Sequence, residues 1–363
     1  MSPDLSQKNI GELESLRGLA ALLVVMFHAP GWNSGKEFIN FVANGYLMVD
    51  LFFVLSGFVI YRAYGSRLVN AEEVWRFQFL RLARLYPVHL LFFIFFVVTT
   101  ATPFWETHWD AFFEQLFLLQ AIGPTGNAIT FNYPAWSISV EFYTYLIFAL
   151  IIWILPVRKV WMISALTILA LMGLLTEYTF GFADLLRCWS GFFMGCLCAQ
   201  LVDNVSWKWP SWSSLVAFIF LGLFLQFKPS KNWDCLIYVL SSLLILTLFF
   251  TKKNVVKQIL NLPLLIWVGE ISYSLYMAQL AVIYLSTEFL ARAWRALPLI
   301  SKLQEYLGIS FLDPHTGFEI MLRFIAFFLL LFLVSWLSYV WVERPCRLWS
   351  RRIAHAPRLR APY

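Results

Sequence analysis

Apolar residues in this chain run in long unbroken blocks, without the short alternation of half-buried strands, and charges and Pro/Gly punctuate the blocks. Ten blocks read as membrane-spanning helices: residues 15–33, 45–62, 85–102, 134–155, 160–177, 185–202, 213–228, 234–251, 262–290 and 317–342. The block 213–228 is the weakest, being short and stopped by Lys228-Pro229, while 262–290 exceeds a bilayer's need and predicts tilt or a projection into a loop. The stretch 108–122, opening His108-Trp109-Asp110, is short and acidic and reads as an interfacial helix. No polar stretch is long enough for a soluble domain. The pattern therefore predicts an all-α integral membrane protein, a bundle of about ten transmembrane helices forming a single domain over 1–363 with a short basic tail from about 343. The first block lacks a small-residue cleavage pattern and contains Arg17, so it reads as a retained span rather than a signal peptide.

Composition agrees: 60% of residues are hydrophobic and 13% charged, against roughly 25% charged in soluble proteins. Mean hydropathy is +0.71. Cys188, Cys196, Cys198, Cys235 and Cys346 form no CxxC and no His-linked spacing, so neither a metal site nor a disulfide framework is expected. Cys196 and Cys198 read as packed thiols.

Charge orients the bundle. With the N-terminus in the cytoplasm, 19 Lys and Arg fall inside and 8 outside, and 103–133 carries none. The positive-inside rule then places both termini in the cytoplasm. The net charge of +6 reflects this topology, so no nucleic-acid partner is expected.

That orientation gives the intramembrane charges a depth. Arg17 and His28 lie eleven residues apart in the first block, about three turns plus ~20°, so they share a helix face some 16 Å apart along the axis. Ionisable groups at membrane depth are costly and mark function by default; a snorkelling Arg and a hydrogen-bonded His are the plainer alternative. His28, Asp50 and Glu141, from three different spans, fall in one outer slab. A His beside carboxylates is general-base equipment, and a purely structural polar cluster is the competing account. A second constellation runs from Trp75 to Pro87 after span two. Arg81 and Arg84 sit three apart on one helix face, with Arg76 a turn or so before. Guanidinium forks suit the phosphates of a cytoplasmic donor, and anchoring to anionic lipid is the alternative.

These residues resemble the acyltransferase-3 family of polytopic membrane O-acyltransferases. The resemblance rests on Arg17-x10-His28, Val49-Asp50-Leu51-Phe52-Phe53-Val54-Leu55-Ser56-Gly57-Phe58, the Arg-rich segment ending Tyr86-Pro87, and Trp136-Ser137-Ile138-Ser139-Val140-Glu141-Phe142-Tyr143. Arg187 with Phe192 and Gly195, Gly269-Glu270-Ile271-Ser272-Tyr273-Ser274-Leu275-Tyr276, and Trp341-Val342-Glu343-Arg344-Pro345 complete the ordered set. It implies a bundle that takes an acyl group, usually acetyl, from cytoplasmic acyl-CoA as co-substrate, with no permanently bound cofactor. The group goes to a hydroxyl of a sugar or lipid-linked glycan, such as a surface polysaccharide, commonly at the outer side of a bacterial inner membrane. His28 matches the family's catalytic histidine, Arg17 its donor-binding arginine and Glu141 its essential acid. No appended esterase-like domain is present, which implies a stand-alone transferase. Gln279 stands where relatives often have His.

The combined expectation has the acyl-CoA phosphates near Arg76, Arg81 and Arg84, and the pantetheine arm passing Arg17. His28, oriented by Asp50 or Glu141, deprotonates the acceptor. Ser137, Ser139 and Tyr143 are candidate donors to the oxyanion, and Arg187 a candidate acceptor contact. A covalent acyl-His is an alternative. From another class, a proton-coupled transporter or exporter in polysaccharide assembly would also use intramembrane His, Asp, Glu and Arg.

Overall fold

The computed structural model describes residues 10–29, 40–99, 109–124, 126–286 and 317–354. Helices occupy all ten predicted places: α1 Ile10–His28, α2 Met48–Tyr64, α3 Ala71–Thr99, α5 Trp136–Ile154, α6 Lys159–Leu175, α7 Ala183–Asn204, α8 Ser213–Phe227, α9 Leu236–Phe250, the pair α10 Pro263–Glu270 and α11 Ser272–Tyr284, and α12 Gly317–Ser338. A short helix, α4 Trp109–Leu116, lies between α3 and α5, and a π-helical turn, Tyr339–Glu343, joins α12 to α13 Arg344–Ala354. Six of these spans are long and apolar enough to cross a bilayer, or seven if α10 and α11, bent by 66°, count as one. The chain is thus an all-helical, multi-pass membrane protein.

Side-chain contacts define two ends. At one, Asn261 bonds Glu12, Arg62 pairs with Asp203, and Lys159 donates to the Gly65 carbonyl. At the other, Gly45 packs on Leu23, Asp50 meets Arg187 and Tyr238, and His28 meets Tyr133. α2, α5, α7 and α9 therefore start at the His28 end and run alongside one another. α1 and α6 run the opposite way.

Glycine sets the closest helix crossings. A Cβ on Gly57 of α2 would lie 1.8 Å from the Phe192 carbonyl oxygen of α7, and one on Gly195 would lie 2.1 Å from that of Val54. Between lipid-embedded helices, small residues of this kind permit the backbone approach that gives dispersion packing its strength. This crossing brings Asp50 of α2 beside Arg187 of α7. Gly269 and Gly18 do the same for α10 and α1, a Cβ on Gly269 falling 2.1 Å from the Glu14 carbonyl.

Three boundaries differ from the sequence reading. α3 begins at Ala71 rather than near 85, so Arg76, Arg81 and Arg84 belong to a spanning helix of 29 residues, not to a loop before it. The hydropathy signal fails there because packing, not water, accommodates the charges: the Arg81 guanidinium lies over the rings of Tyr64, Phe77 and Tyr145. The ninth stretch breaks at Ile271 instead of tilting as one rod, and its residues beyond 286 lie outside those described. The basic segment after 343 continues as helix α13, which packs on α3 through Trp349 and Phe79.

The segment after α3 does not cross. α4 is eight residues long, and the turn after it tucks against α3 and α5. Ser139 donates to the Leu118 carbonyl at 2.6 Å, Gln120 to that of Ala135 at 3.0 Å, and His89 meets that of Gln115 at 2.9 Å. Irregular backbone at this depth requires such partners, because lipid supplies none.

Candidate active site

A narrow cleft opens in the middle of the bundle where α1, α2, α3, α5 and α11 meet. α1 contributes Arg17, α2 Ser56, α3 Arg84 and α5 Ser137, Glu141 and Tyr145. The bend after α10 turns α11 so that Ser272, Tyr273 and Tyr276 complete the wall. Only about 50 Å³ is open to water-sized molecules, room for a file of a few waters at roughly 10–15 Å³ each. The cleft is a slot suited to an extended chain rather than a bowl suited to a ring.

The charges in this slot are held apart. Arg84 has no hydrogen bond or ion pair with any described residue; the carboxylates of Glu14, Glu343 and Glu141 face it only at longer range. Arg17 has one loose partner, Glu14, at 3.9 Å. Glu141 accepts on a single oxygen, from Ser56 at 2.5 Å and Tyr145 at 2.6 Å. Its second oxygen makes no hydrogen bond to a described residue. Glu343 joins two motifs distant in sequence: it is 1% exposed and accepts from Ser274 of α11 at 2.8 Å and Arg347 of α13 at 3.3 Å. Tyr273 donates to the Leu85 carbonyl, tying α11 to α3 beside Arg84.

His28 closes α1 at the other end of the arrangement. Its Nδ1 lies 2.9 Å from the Val24 carbonyl, and a carbonyl only accepts, so Nδ1 donates and a neutral ring would carry its lone pair on Nε2. The ring packs edge-on against Phe27 at 4.8 Å and Tyr133 at 6.0 Å. Tyr133 leads into the cleft: the Pro134 carbonyl accepts from Tyr276 at 2.9 Å, and the single Ser137 hydroxyl proton has that carbonyl at 3.2 Å and the Tyr276 hydroxyl at 3.0 Å as alternative acceptors.

The remaining sequence candidates separate. Asp50, expected to orient the imidazole, is 1% exposed and spends both oxygens elsewhere. Arg187 donates to Oδ1 at 3.2 Å and Oδ2 at 2.8 Å, and Tyr238 to Oδ1 at 2.9 Å. Nor does Glu141 orient the ring; the Val24 carbonyl does. Ser139 and Tyr143, candidate oxyanion donors, instead bond the carbonyls of Leu118 and Phe117, the latter at 2.9 Å, and pin the turn after α4. Arg187 serves Asp50 and lies over the Trp136 ring at 4.8 Å. Arg76 pairs with Glu73 at 3.1 Å and Glu72 at 3.8 Å and does not reach the slot. Gln279, fully buried, donates to the Tyr276 carbonyl at 2.9 Å. The residues with no assigned role in the sequence reading are Ser56, Tyr145, Ser272, Tyr273 and Tyr276. A signal existed for two of them: Tyr145 sits one helical turn after Glu141, and Ser56 interrupts an apolar run.

Comparison with known proteins fits this geometry. The family model described as an acyltransferase domain, that of the acyltransferase-3 family, matches residues 10–340, and the chain belongs to that family. The acyltransferase MdmB of Streptomyces mycarofaciens is 33% identical over 168 residues, 42% of each chain. Protein 2 in the picA locus of Rhizobium radiobacter is 40% identical over 106 residues, 26% of this chain and 52% of that one. A Staphylococcus aureus (strain COL) protein whose name gives it as an O-acetyltransferase is 26% identical over 320 residues, 75% of this chain and 50% of its own. The chain spans about half the length of the curated relatives it matches. No solved structure matches.

Proposed function

We propose that this chain moves an acyl group, acetyl by the name of its staphylococcal relative, from acyl-CoA to a hydroxyl of a sugar or glycan. The observation that carries the reading is the slot itself: two guanidinium groups and a carboxylate, none in a tight ion pair, line a narrow passage whose far side adjoins a histidine with its basic nitrogen defined. Unsatisfied charge at membrane depth is expensive, and a polar substrate offsets it.

In this reading ten helices cross the cell membrane. The Ile10 end, which holds Arg62, Arg76, Arg158, Lys159, Lys252 and Arg347, faces the cytoplasm. Acyl-CoA docks there, its phosphates on α3 beside Arg81 and Arg84, with Arg84 reaching furthest in. The pantetheine arm lies in the slot past Arg17. The acceptor hydroxyl arrives from the His28 end. His28 Nε2 takes its proton as the oxygen attacks the thioester carbonyl. Ser137, turning from Pro134, donates to the oxyanion. The C–S bond then breaks, and the CoA thiolate leaves with the proton returned by the imidazolium. Glu141, gripped on one side by Ser56 and Tyr145, keeps its free oxygen for the amides of the arm.

The test uses purified protein in detergent with acetyl-CoA and a panel of methyl glycosides, following free thiol and acetylated sugar. Acetylated product forming with one thiol released per transfer is the expected result. Thiol release by wild type that His28→Ala matches, or no product with any glycoside, overturns the reading.

A further inference from the structure

A second cleft lies at the His28 end, separated from the slot by one turn of α2: Val49, Phe52 and Phe53 face the slot, while Asp50 faces away. Its floor is the Asp50–Arg187–Tyr238 cluster, and its rim comes from the end of α6 with Glu177 and from the turn holding Lys231, Asn232 and Asp234. About 210 Å³ is open to water-sized molecules, roughly four times the room in the slot. We propose that this cleft binds a neutral sugar ring of the acceptor, an assignment that rests on the transfer reading above.

The cleft mixes charges of both signs, with Asp50, Glu177 and Asp234 against Arg187 and Lys231, and Asp184 acts on Arg187 from nearby. Asp50 is paired with Arg187, and Asp234 is neutralised by Lys228 beneath it, which is 4% exposed. Glu177 and Lys231 stand at the rim. The lining holds no excess of positive charge to suit a phosphate. It offers strong donors and strong acceptors side by side, which matches hydroxyl groups that donate and accept at once. A guanidinium has five N–H donors. Arg187 spends two on Asp50, so three remain on the cleft side. The side chains of Glu177, Lys231 and Asn232 make no hydrogen bond to another described residue. Two exposed aromatic residues, Tyr178 and Trp233, follow the rim residues Glu177 and Asn232 in sequence.

Packing links this cleft to the base. Asp234 accepts from Tyr46 at 2.7 Å, the Tyr46 ring packs on Phe27 at 5.7 Å, and Phe27 packs on His28. His28 thus lies between the two: Tyr133 connects it to the turn that leads to Ser137 in the slot, and Phe27 and Tyr46 connect it to Asp234 of the second cleft.

The experiment is saturation-transfer NMR on the full-length protein in micelles, without acyl-CoA. The probes are methyl α-glycosides of glucose, galactose, mannose and rhamnose, with sulfate and spermidine as charged comparators. At least one glycoside binds saturably. The double variant Lys231→Ala, Asn232→Ala, at two exposed rim positions, weakens it by about tenfold or more, the loss expected for hydrogen bonds that include a charged donor. Lys252→Ala, at the opposite end, leaves it unchanged. Saturable binding of only sulfate or spermidine, no saturable glycoside, or glycoside binding unaffected by the rim double variant overturns the proposal. Glycoside binding without any CoA release on adding acetyl-CoA instead removes the transfer reading and leaves a saccharide site.

Discussion

Two clefts sit within one helix turn of each other, and they treat charge in opposite ways. In the slot, Arg17, Arg84 and Glu141 stand near one another without closing into pairs. In the second cleft, Asp50 and Arg187 close into a two-point ion pair that Tyr238 completes. A buried pair contributes little net stability, yet removing one partner strands a charge and is strongly destabilising. An unpaired charge carries its desolvation cost already and is worth most when a ligand meets it. On the proposed reading the open charges of the first serve the reaction while the closed pair of the second holds the fold, and substitution separates them.

The largest effect is expected at the base. His28→Ala should lower the transfer rate by about 10²–10⁴-fold, the usual contribution of a positioned base, with the melting temperature in detergent little changed. Product formation near the wild-type rate would remove His28 from the mechanism. Next comes Asp50→Ala, which leaves Arg187 without its carboxylate; a loss of about 3–5 kcal/mol in unfolding free energy is expected. Thermal unfolding of the purified variant measures it. Glu141→Gln should show the reverse: turnover falls steeply while the melting temperature holds, because the amide oxygen still accepts from Ser56 and Tyr145. If instead Glu141→Gln unfolds the protein and Asp50→Ala leaves it stable, the contrast between the clefts is lost.

Arg84→Gln should act on donor binding. On the proposed reading its guanidinium meets a part of the donor remote from the reacting carbon, so KM for acetyl-CoA should rise about tenfold while the rate at saturation changes less. A rate defect with unchanged KM would move Arg84 to the reacting centre. The smallest effect belongs to Arg76→Gln. Exposed helical pairs such as Arg76–Glu73 are worth only about 0.3–0.5 kcal/mol, and KM should move less than about twofold. A tenfold rise would extend the donor site outward along α3.

The span positions were legible because apolar length is a local property: each block from 15–33 to 317–342 holds a helix. Arg17, His28 and Glu141 were legible too, since an ionisable residue stands out against an apolar run. The start of α3 was not, because Arg81 is sheltered by Tyr64 and Tyr145, residues on other helices. The roles of Asp50, Ser139 and Tyr143 also escaped. A shared depth predicts three groups in one slab but not which way each faces around the bundle. The partners that settle the matter, Arg187 and the carbonyls of Leu118 and Phe117, lie 137, 21 and 26 residues away.

The sequence by itself determined the membrane class, the family and the presence of costly polar groups at depth, because hydropathy, motif order and charge are written residue by residue. Only the tertiary structure decided which of those groups meet. The glycine crossing of α2 with α7 pairs Asp50 with Arg187, and the bend between α10 and α11 turns Tyr273 and Tyr276 toward Arg84 and Glu141. Pairing depends on rotation and distance between helices, and these are fixed by close packing across the whole bundle rather than by any single segment.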